Sequence, residues 1–208
     1  MDDKLAEGLR VLGLGARTSL AEGLRAYQAE ITTWNERLGL VSLKGPDDLV
    51  VKHLLDSLAP WAFLEGLGFS SLVDLGSGAG FPGIPLALAF PRVQTTLVER
   101  MERRAGFLEI TLEHLHRTDV SVVQRTFEEV RDQFDVVTFR AVTPLEPKIV
   151  KKMLRLLKPG GCIAAYKGRR DTIDAELIGL GPLGSSAEVV PVKVPFLDEE
   201  RHLVILRG

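Results

Sequence analysis

The residues best suited to chemistry surround one short stretch, Leu-Val-Asp-Leu-Gly-Ser-Gly-Ala-Gly-Phe-Pro-Gly-Ile-Pro, spanning Leu72 to Pro85. An apolar run carries the acid Asp74 and breaks into alternate glycines at Gly76, Gly78 and Gly80. Glycine lets the backbone take positive φ and lets a ligand approach the main chain. Pro82 and Pro85 then open an apolar stretch, and proline fits a first helical turn, whose amides lack intrahelical partners anyway. The stretch reads as buried strand, tight loop and helix. Such a loop ends at a helix N-terminus, where free amides attract a carboxylate or phosphate. The bland alternative is a glycine turn with no ligand.

Further candidates lie at predicted strand ends. Glu99 stands 19 residues beyond Gly80, the reach of one helix and one strand. A carboxylate there can accept both hydroxyls of a ribose; the alternative is an exposed acid beside Arg100. Phe127 and Glu128 follow the third predicted strand and would suit an adenine ring and its amino group. Arg140 closes an apolar strand, where it would pair with a ligand carboxylate or phosphate, or form a strand-end salt bridge. Earlier, Lys52-His53-Leu54-Leu55-Asp56-Ser57-Leu58 places His53 and Ser57 on one helical face, with Asp56 three residues from His53. This is a polar site edge or a helix-surface hydrogen-bond cluster. His114 and His116 point in different directions on a helix, so no metal pair is expected; His202 reads as structural.

The elements that must position these groups follow from periodicity. Residues 1–65 look helical, with stripes at Leu5, Leu9 and Leu12 and at Leu20, Leu24, Tyr27, Ile31 and Trp34. Tyr27 and Trp34 read as core, not as a stacking platform. Thr18 or Ser19 would cap the second helix, with Glu22 completing a capping box. Gly45-Pro46-Asp47-Asp48 turns into a helix over Leu49 to Leu58. From residue 66 the texture alternates. Strands are expected at Gln94–Glu99, Val120–Arg125, Phe134–Ala141 and Cys162–Lys167, and helices at Arg103–Leu115, Leu145–Leu157 and Asp171–Leu180. Lys158-Pro159-Gly160-Gly161 closes the second of those helices, and Val189–Phe196 with His202–Arg207 makes a closing strand pair. The expected fold is an α/β Rossmann-like doubly wound sheet with an antiparallel edge, residues 66–208, plus an N-terminal helical extension, residues 1–65, in one compact unit.

The chain has 208 residues, 45% of them hydrophobic and 26% charged, with a net charge of −2. That describes an ordinary folded domain and does not by itself announce nucleic acid. The lone Cys162 excludes an internal disulfide and a multi-cysteine zinc site. No stretch is apolar enough to span a bilayer and the acidic start is no signal peptide, so cytoplasmic residence is expected. Charge is uneven, however. From Arg140 to Arg170 nine basic residues face one acid, Glu146, and such a segment suits a nucleic-acid backbone or is a solvated helix face.

The glycine spacing is G-x-G-x-G, with Phe81 where a dinucleotide fingerprint needs its third glycine. That disfavours a nicotinamide oxidoreductase, and the pattern resembles motif I of class I S-adenosylmethionine-dependent methyltransferases. Over nearly its whole length the chain is similar to the bacterial RsmG (GidB) family, which methylates N7 of a guanine in 16S ribosomal RNA. The likeness is carried by Val51 to Leu58, Asp74 to Leu88, Phe134 to Ala141 and Lys167-Gly168. Most particular are Gly80-Phe81-Pro82-Gly83-Ile84-Pro85 and His53-x-x-Asp56-Ser57-Leu58. One departure is visible: ahead of the His-containing helix the family carries an Asn-Leu-Thr/Ser-like segment, and this chain reads Gly39-Leu40-Val41-Ser42.

The resemblance implies S-adenosylmethionine as cofactor, with contacts at Gly76, Phe81, Phe127, Glu128 and Arg140; the loop glycine Gly78 and the strand-end Glu99 join them on the reading of the residues themselves. It implies 16S rRNA or the small ribosomal subunit as partner; spacing and hydropathy lead to no expected metal or membrane, and a monomer is expected. Guanine N7 carries a lone pair and no proton, so the site needs alignment and not a base. Arg140, His53 and Asp56 are then the candidate catalytic residues, Arg140 orienting the cofactor and His53 and Asp56 shaping the guanine pocket. Lys52, Lys167 and Arg169 would hold the RNA backbone. Competing expectations are a methyltransferase of a small molecule or protein, and a nucleotide-binding module without catalysis.

Overall fold

The computed structural model describes residues 3–141 and 143–207. In it the strands β1 (Ser71–Leu75), β2 (Gln94–Val98), β3 (Val120–Val123), β4 (Phe134–Arg140), β5 (Leu157–Lys167), β6 (Glu188–Pro191) and β7 (His202–Arg207) form one sheet. Their order is β3-β2-β1-β4-β5-β7-β6. The first five pair in parallel, while β7 runs antiparallel to both β5 and β6. This is the expected doubly wound sheet with a reversed closing hairpin. Every residue of β1 is buried, which is why it reads as a near-continuous apolar run. Strand order reverses on either side of β1, and the crevice for a ligand opens beyond the carboxyl ends there.

The N-terminal helices are α1 (Lys4–Val11), α2 (Thr18–Leu38), a π-helical stretch Val50–Leu55 running into α3 (Asp56–Leu58), and α4 (Trp61–Gly66). After β1 come α5 (Gly83–Ala89), α6 (Glu102–His114), α7 (Pro147–Leu154), α8 (Arg170–Gly179) and α9 (Pro182–Ser185). One apolar cluster joins Leu9, Leu24, Tyr27 and Ile31 to Phe81, Ile84 and Leu108, so the N-terminal helices cover one face of the sheet. On the other face Val150, Met153 and Ile173 pack against Val137, Ile163 and Val204.

Several local expectations differ. No side chain caps α2 and the Ser19–Glu22 box does not form; the cap position is Arg17. Arg17 instead donates to the Ala89 carbonyl at 3.0 Å, pairs with Glu65 at 3.1 Å and lies over the Trp61 ring. A tie to the sheet domain outweighs a local cap. The expected helix over Leu145–Leu157 is shorter, because Leu157 already pairs with Phe134 and Lys158–Gly161 lies inside β5 at a register shift. β6 is confined to Glu188–Pro191, shorter than the expected Val189–Phe196, with one further bond from the Val192 amide to the Arg201 carbonyl at 2.8 Å.

Candidate functional site

The loop after β1 uses its glycines differently. Gly76, Gly78 and Gly80 all have positive φ, at 65°, 59° and 100°. A Cβ on Gly78 would make only ordinary contacts, at 3.8 Å to the Gly76 carbonyl and 4.0 Å to Arg104, whereas one on Gly80 would lie 2.6 Å from Ile84 and 2.8 Å from the Tyr27 hydroxyl. On Gly83 it would come within 2.7 Å of Asp74. Gly78 thus leaves room for a ligand, and Gly80 and Gly83 let α5 close on the strands. The loop is braced from the N-terminal layer, as the buried Tyr27 hydroxyl donates to the Ala79 carbonyl at 2.6 Å.

The expected anion-attracting amides are already committed. Gly80 and Phe81 amides donate to the Ser77 carbonyl, Ile84 donates to Gly80, and Gly83 donates to Asp74 Oδ2 at 3.1 Å. With prolines at 82 and 85 contributing no donor, the start of α5 is no anion site. Asp74 is fully buried, and its Oδ1 has no partner among the described residues. Burial pushes its carboxyl up to about 7.

Glu99, at the end of β2, is 4% exposed. Its Oε2 accepts from the Gly78 amide at 2.9 Å and its Oε1 from the Met101 amide at 2.8 Å. Each carboxylate oxygen offers two lone pairs, so one on each oxygen stays available where the carboxylate lines the cleft. The same carboxylate fixes the loop and the start of α6. Beyond β3, a capping box between Thr126 and Glu129 sets a 3-10 turn over Phe127–Glu129. That turn presents Phe127 and Glu128 to the cleft, with Glu128 paired to Lys152 at 3.3 Å on the surface.

The other half of the cleft is an arginine network. Arg140, at the end of β4, donates through Nη1 to Asp56 Oδ2 at 2.8 Å and to the Lys52 carbonyl at 3.2 Å. Its Nη2 meets His53 Nδ1 at 3.2 Å, and its guanidinium lies 5.0 Å from the Phe81 ring centre. His53 packs on the same ring at 5.1 Å. Asp56 is 5% exposed, and its Oδ1 accepts from Arg201 Nε at 3.1 Å. Burial, then the Arg140 charge, bring the His53 imidazole down to about 4, so it is neutral at pH 7. Ser57 turns away: its hydroxyl donates to the His53 carbonyl at 2.6 Å and is buried. His53 and Asp56 thus line the cleft while Ser57 serves the helix, and the segment is no exposed surface cluster.

These groups line one cleft of about 1100 Å³, ample for a nucleoside-sized ligand. Among the sequence candidates it gathers Gly76, Gly78, Phe81, Glu99, Phe127, Glu128, Arg140, His53, Asp56, Lys52 and Lys167. Lys167 is turned toward Glu176 at 2.7 Å, and Arg169 lies outside the lining, paired with Asp171. The positive run from Arg140 to Arg170 is no free cationic face. Six of its nine basic residues have acidic partners: Asp56, Glu128, Asp135, Glu176, Asp171 and Asp174. Sequence reasoning missed Arg100, Arg104, Arg125 and Arg201, which all reach the cleft. Arg201 sits among acids before β7 and gave no local sign.

Leu40, Val41 and Ser42 also line the cleft. Gly39 ends α2 with φ 57° and ψ 48°, the left-handed position that favours glycine or asparagine. The departure from the family's Asn-Leu-Thr/Ser segment therefore preserves the backbone turn. His202 Nδ1 lies 2.7 Å from the Gly168 carbonyl, and no group of three metal-ligating side chains occurs among the described residues. No helix among them is long and apolar enough to cross a membrane.

Comparison with known proteins agrees with the fold. Residues 20–204 match the family model GidB, "rRNA small subunit methyltransferase G". The chain is 40% identical to "Ribosomal RNA small subunit methyltransferase G" of Treponema pallidum (strain Nichols), over 97% of this chain and 92% of that one. It is 39% identical to the protein of the same name from Stenotrophomonas maltophilia (strain K279a), over 98% and 93%. Among solved structures, a methyltransferase from Pyrococcus furiosus superposes with TM-score 0.59 at 17% identity, covering 89% of this chain and 98% of its own. The tRNA (m1A58) methyltransferase TrmI from Aquifex aeolicus gives 0.57 at 14% identity, covering 74% and 68%. These two likenesses bear on the fold alone.

Proposed function

This chain belongs to the rRNA small subunit methyltransferase G family, and from that premise we propose that it methylates N7 of a guanine in 16S ribosomal RNA. S-adenosylmethionine is the methyl donor; when bound, it supplies an electrophilic methyl group on a sulfonium. The observation that carries the reading is that one cleft joins the glycine loop and the amide-held Glu99 to the Arg140–Asp56–Arg201 network.

The residues present fit that cofactor. Glu99 keeps a free lone pair on each oxygen for the ribose hydroxyls, and the bare Gly78 leaves space beside it. Phe127 offers a ring face and Glu128 an acceptor for the adenine amino group. Gly76 and Phe81 complete the floor. Arg140 retains donors beyond those given to Asp56, Lys52 and His53, because a guanidinium has five N–H groups; these orient the cofactor carboxylate.

The rest of the chemistry asks little of the protein. Neutral guanine N7 has no proton to lose, so the site needs no base, and positioning and charge placement do the catalysis. A neutral His53 adds no positive charge beside a base that becomes cationic. Both oxygens of Asp56 are held by arginines, so Asp56 acts as a positioning residue for Arg140. Lys52, Lys167 and Arg169 would meet the RNA backbone by exchanging their partners Asp48, Glu176 and Asp171 for phosphates. On this reading the protein works in the cytoplasm as a monomer without a metal ion.

The test is incubation with methyl-labelled S-adenosylmethionine and 16S rRNA or small subunits, followed by mapping of the modified base. The expected result is label at a guanine N7, with RNA binding that weakens steeply as salt rises. Label confined to small molecules or proteins would contradict it.

A further inference from the structure

The contact between Arg140 and His53 fixes more than a position. Arginine has donors and no acceptor, so His53 Nδ1, 3.2 Å from Arg140 Nη2, must be the acceptor. The imidazole proton is then on Nε2. The ring cannot easily rotate out of this arrangement: it is packed on Phe81 at 5.1 Å, and Phe81 is itself buried against Tyr27 at 5.3 Å. Nε2 has no partner among the described residues, is not sealed in the interior, and belongs to a side chain lining the cleft. His53 therefore shows the cleft one group of fixed polarity, an N–H donor.

We propose that His53 Nε2–H selects guanine over adenine by donating to O6 of the target base. The inference rests on the guanine-N7 reading and deepens it. Guanine presents N7 and O6 side by side as acceptors, while adenine presents N7 beside an N6 amino donor. An enzyme that takes N7 as nucleophile cannot use it for recognition, which leaves the neighbouring position to tell the two purines apart. A donor locked there accepts guanine and confronts adenine with two opposed N–H groups, an arrangement that leaves polar groups unpaired in a confined site. Arg140 sets the polarity of the reader by holding the tautomer, and Asp56 with Arg201 holds Arg140. Methylation at N7 withdraws electrons from O6 and weakens it as an acceptor, so this contact confers selectivity and not rate.

The test compares kcat/KM on an rRNA fragment carrying guanine at the target with one carrying 2-aminopurine, which keeps N7 and the 2-amino group but has hydrogen in place of O6. For the unaltered protein the guanine substrate is expected to win by at least about tenfold. His53→Phe should lower the guanine value by more than the 2-aminopurine value, so that the ratio collapses toward one. His53→Gln should keep most of the ratio, since its amide oxygen can accept from Arg140 while its NH₂ donates into the cleft. A His53→Phe protein that loses the same factor on both substrates would overturn the inference and make the residue structural. In a second measurement, ¹⁵N NMR of the unaltered protein should show Nε2 protonated and Nδ1 bare between about pH 6 and 8; a protonated Nδ1 would overturn it even where a variant misfolds. If guanine N7 is not methylated at all, the parent reading falls and this one with it. If N7 is methylated and the ratio survives in His53→Phe, this inference alone falls.

Discussion

On the β1–β2–β3 side of the cleft Glu99 answers only backbone amides, whereas on the β4–β5–β7 side Asp56 answers two guanidinium groups. Both carboxylates are buried and each oxygen of both accepts a hydrogen bond from the protein, yet they do different work. Glu99 shapes a loop with partners 21 and 2 residues away. Asp56 ties together segments 84 and 145 residues apart. The first side is thus a local construction that the strand–loop–helix geometry provides. The second exists only once the N-terminal helices, β4 and the β6–β7 connection have all docked.

That contrast is open to direct attack, and Asp56 should give the largest effect. Asp56→Ala leaves Arg140 and Arg201 without their shared partner, and removing one member of a buried ion pair costs about 3–5 kcal/mol. Urea unfolding should show that loss, with methyl transfer abolished. A loss within a few tenths of a kcal/mol would mean the network is solvated in solution.

Between the halves lies Asp74, whose titration sharpens the comparison. Its buried carboxyl is held at about 7, above the ordinary 3.8, chiefly by burial, against the opposing pull of Arg140 and with a small push from Glu99. The folded protein then binds more protons than the unfolded chain between these two values. This group's contribution to stability is full below the unfolded value and is lost as pH rises through about 7. Urea midpoints at about pH 5 and pH 8 should show this fall for the unaltered protein and a flatter profile for Asp74→Asn. An identical slope in both would remove Asp74 as its source.

The smallest effect belongs to the exposed pair on the first side. Lys152 and Glu128 are 3.3 Å apart with side chains 45% and 39% exposed, and a pair of that kind contributes about 0–1 kcal/mol. Lys152→Ala should leave thermal unfolding almost unmoved. A shift as large as that of Asp56→Ala would show that burial is not what separates the two sides.

The same division explains what could be read in the sequence. The apolar strand, the glycines, the prolines and Glu99 one helix and strand later are contiguous signals, and each fell where the spacing placed it. Arg140 and His53 announced themselves singly, as polar groups at the ends of apolar runs. Their meeting with Arg201 did not, because nothing local marks a pairing across 145 positions. The basic run from Arg140 to Arg170 misled for a related reason. The tally stopped just short of Asp171, Asp174 and Glu176, which neutralise Arg169, Arg170 and Lys167. Charge counted along a chain ignores partners that arrive through folding. The π-helical turn at Val50–Leu55, which starts the segment carrying His53 and Asp56, left no pattern distinct from an ordinary helix.

The central claim is that Glu99 supplies the main hold on the methyl donor and that Arg201 serves the RNA side of the cleft. Calorimetric titration of S-adenosylmethionine into the unaltered protein, Glu99→Gln and Arg201→Gln tests it most directly. The account predicts binding weakened by about tenfold or more in Glu99→Gln, since each hydrogen bond to a charged group contributes roughly 1.5–3 kcal/mol. It predicts donor affinity within about twofold of the unaltered protein for Arg201→Gln, with methylation of 16S rRNA lost. Equal loss of donor binding in both variants, or undiminished binding in Glu99→Gln, would contradict it.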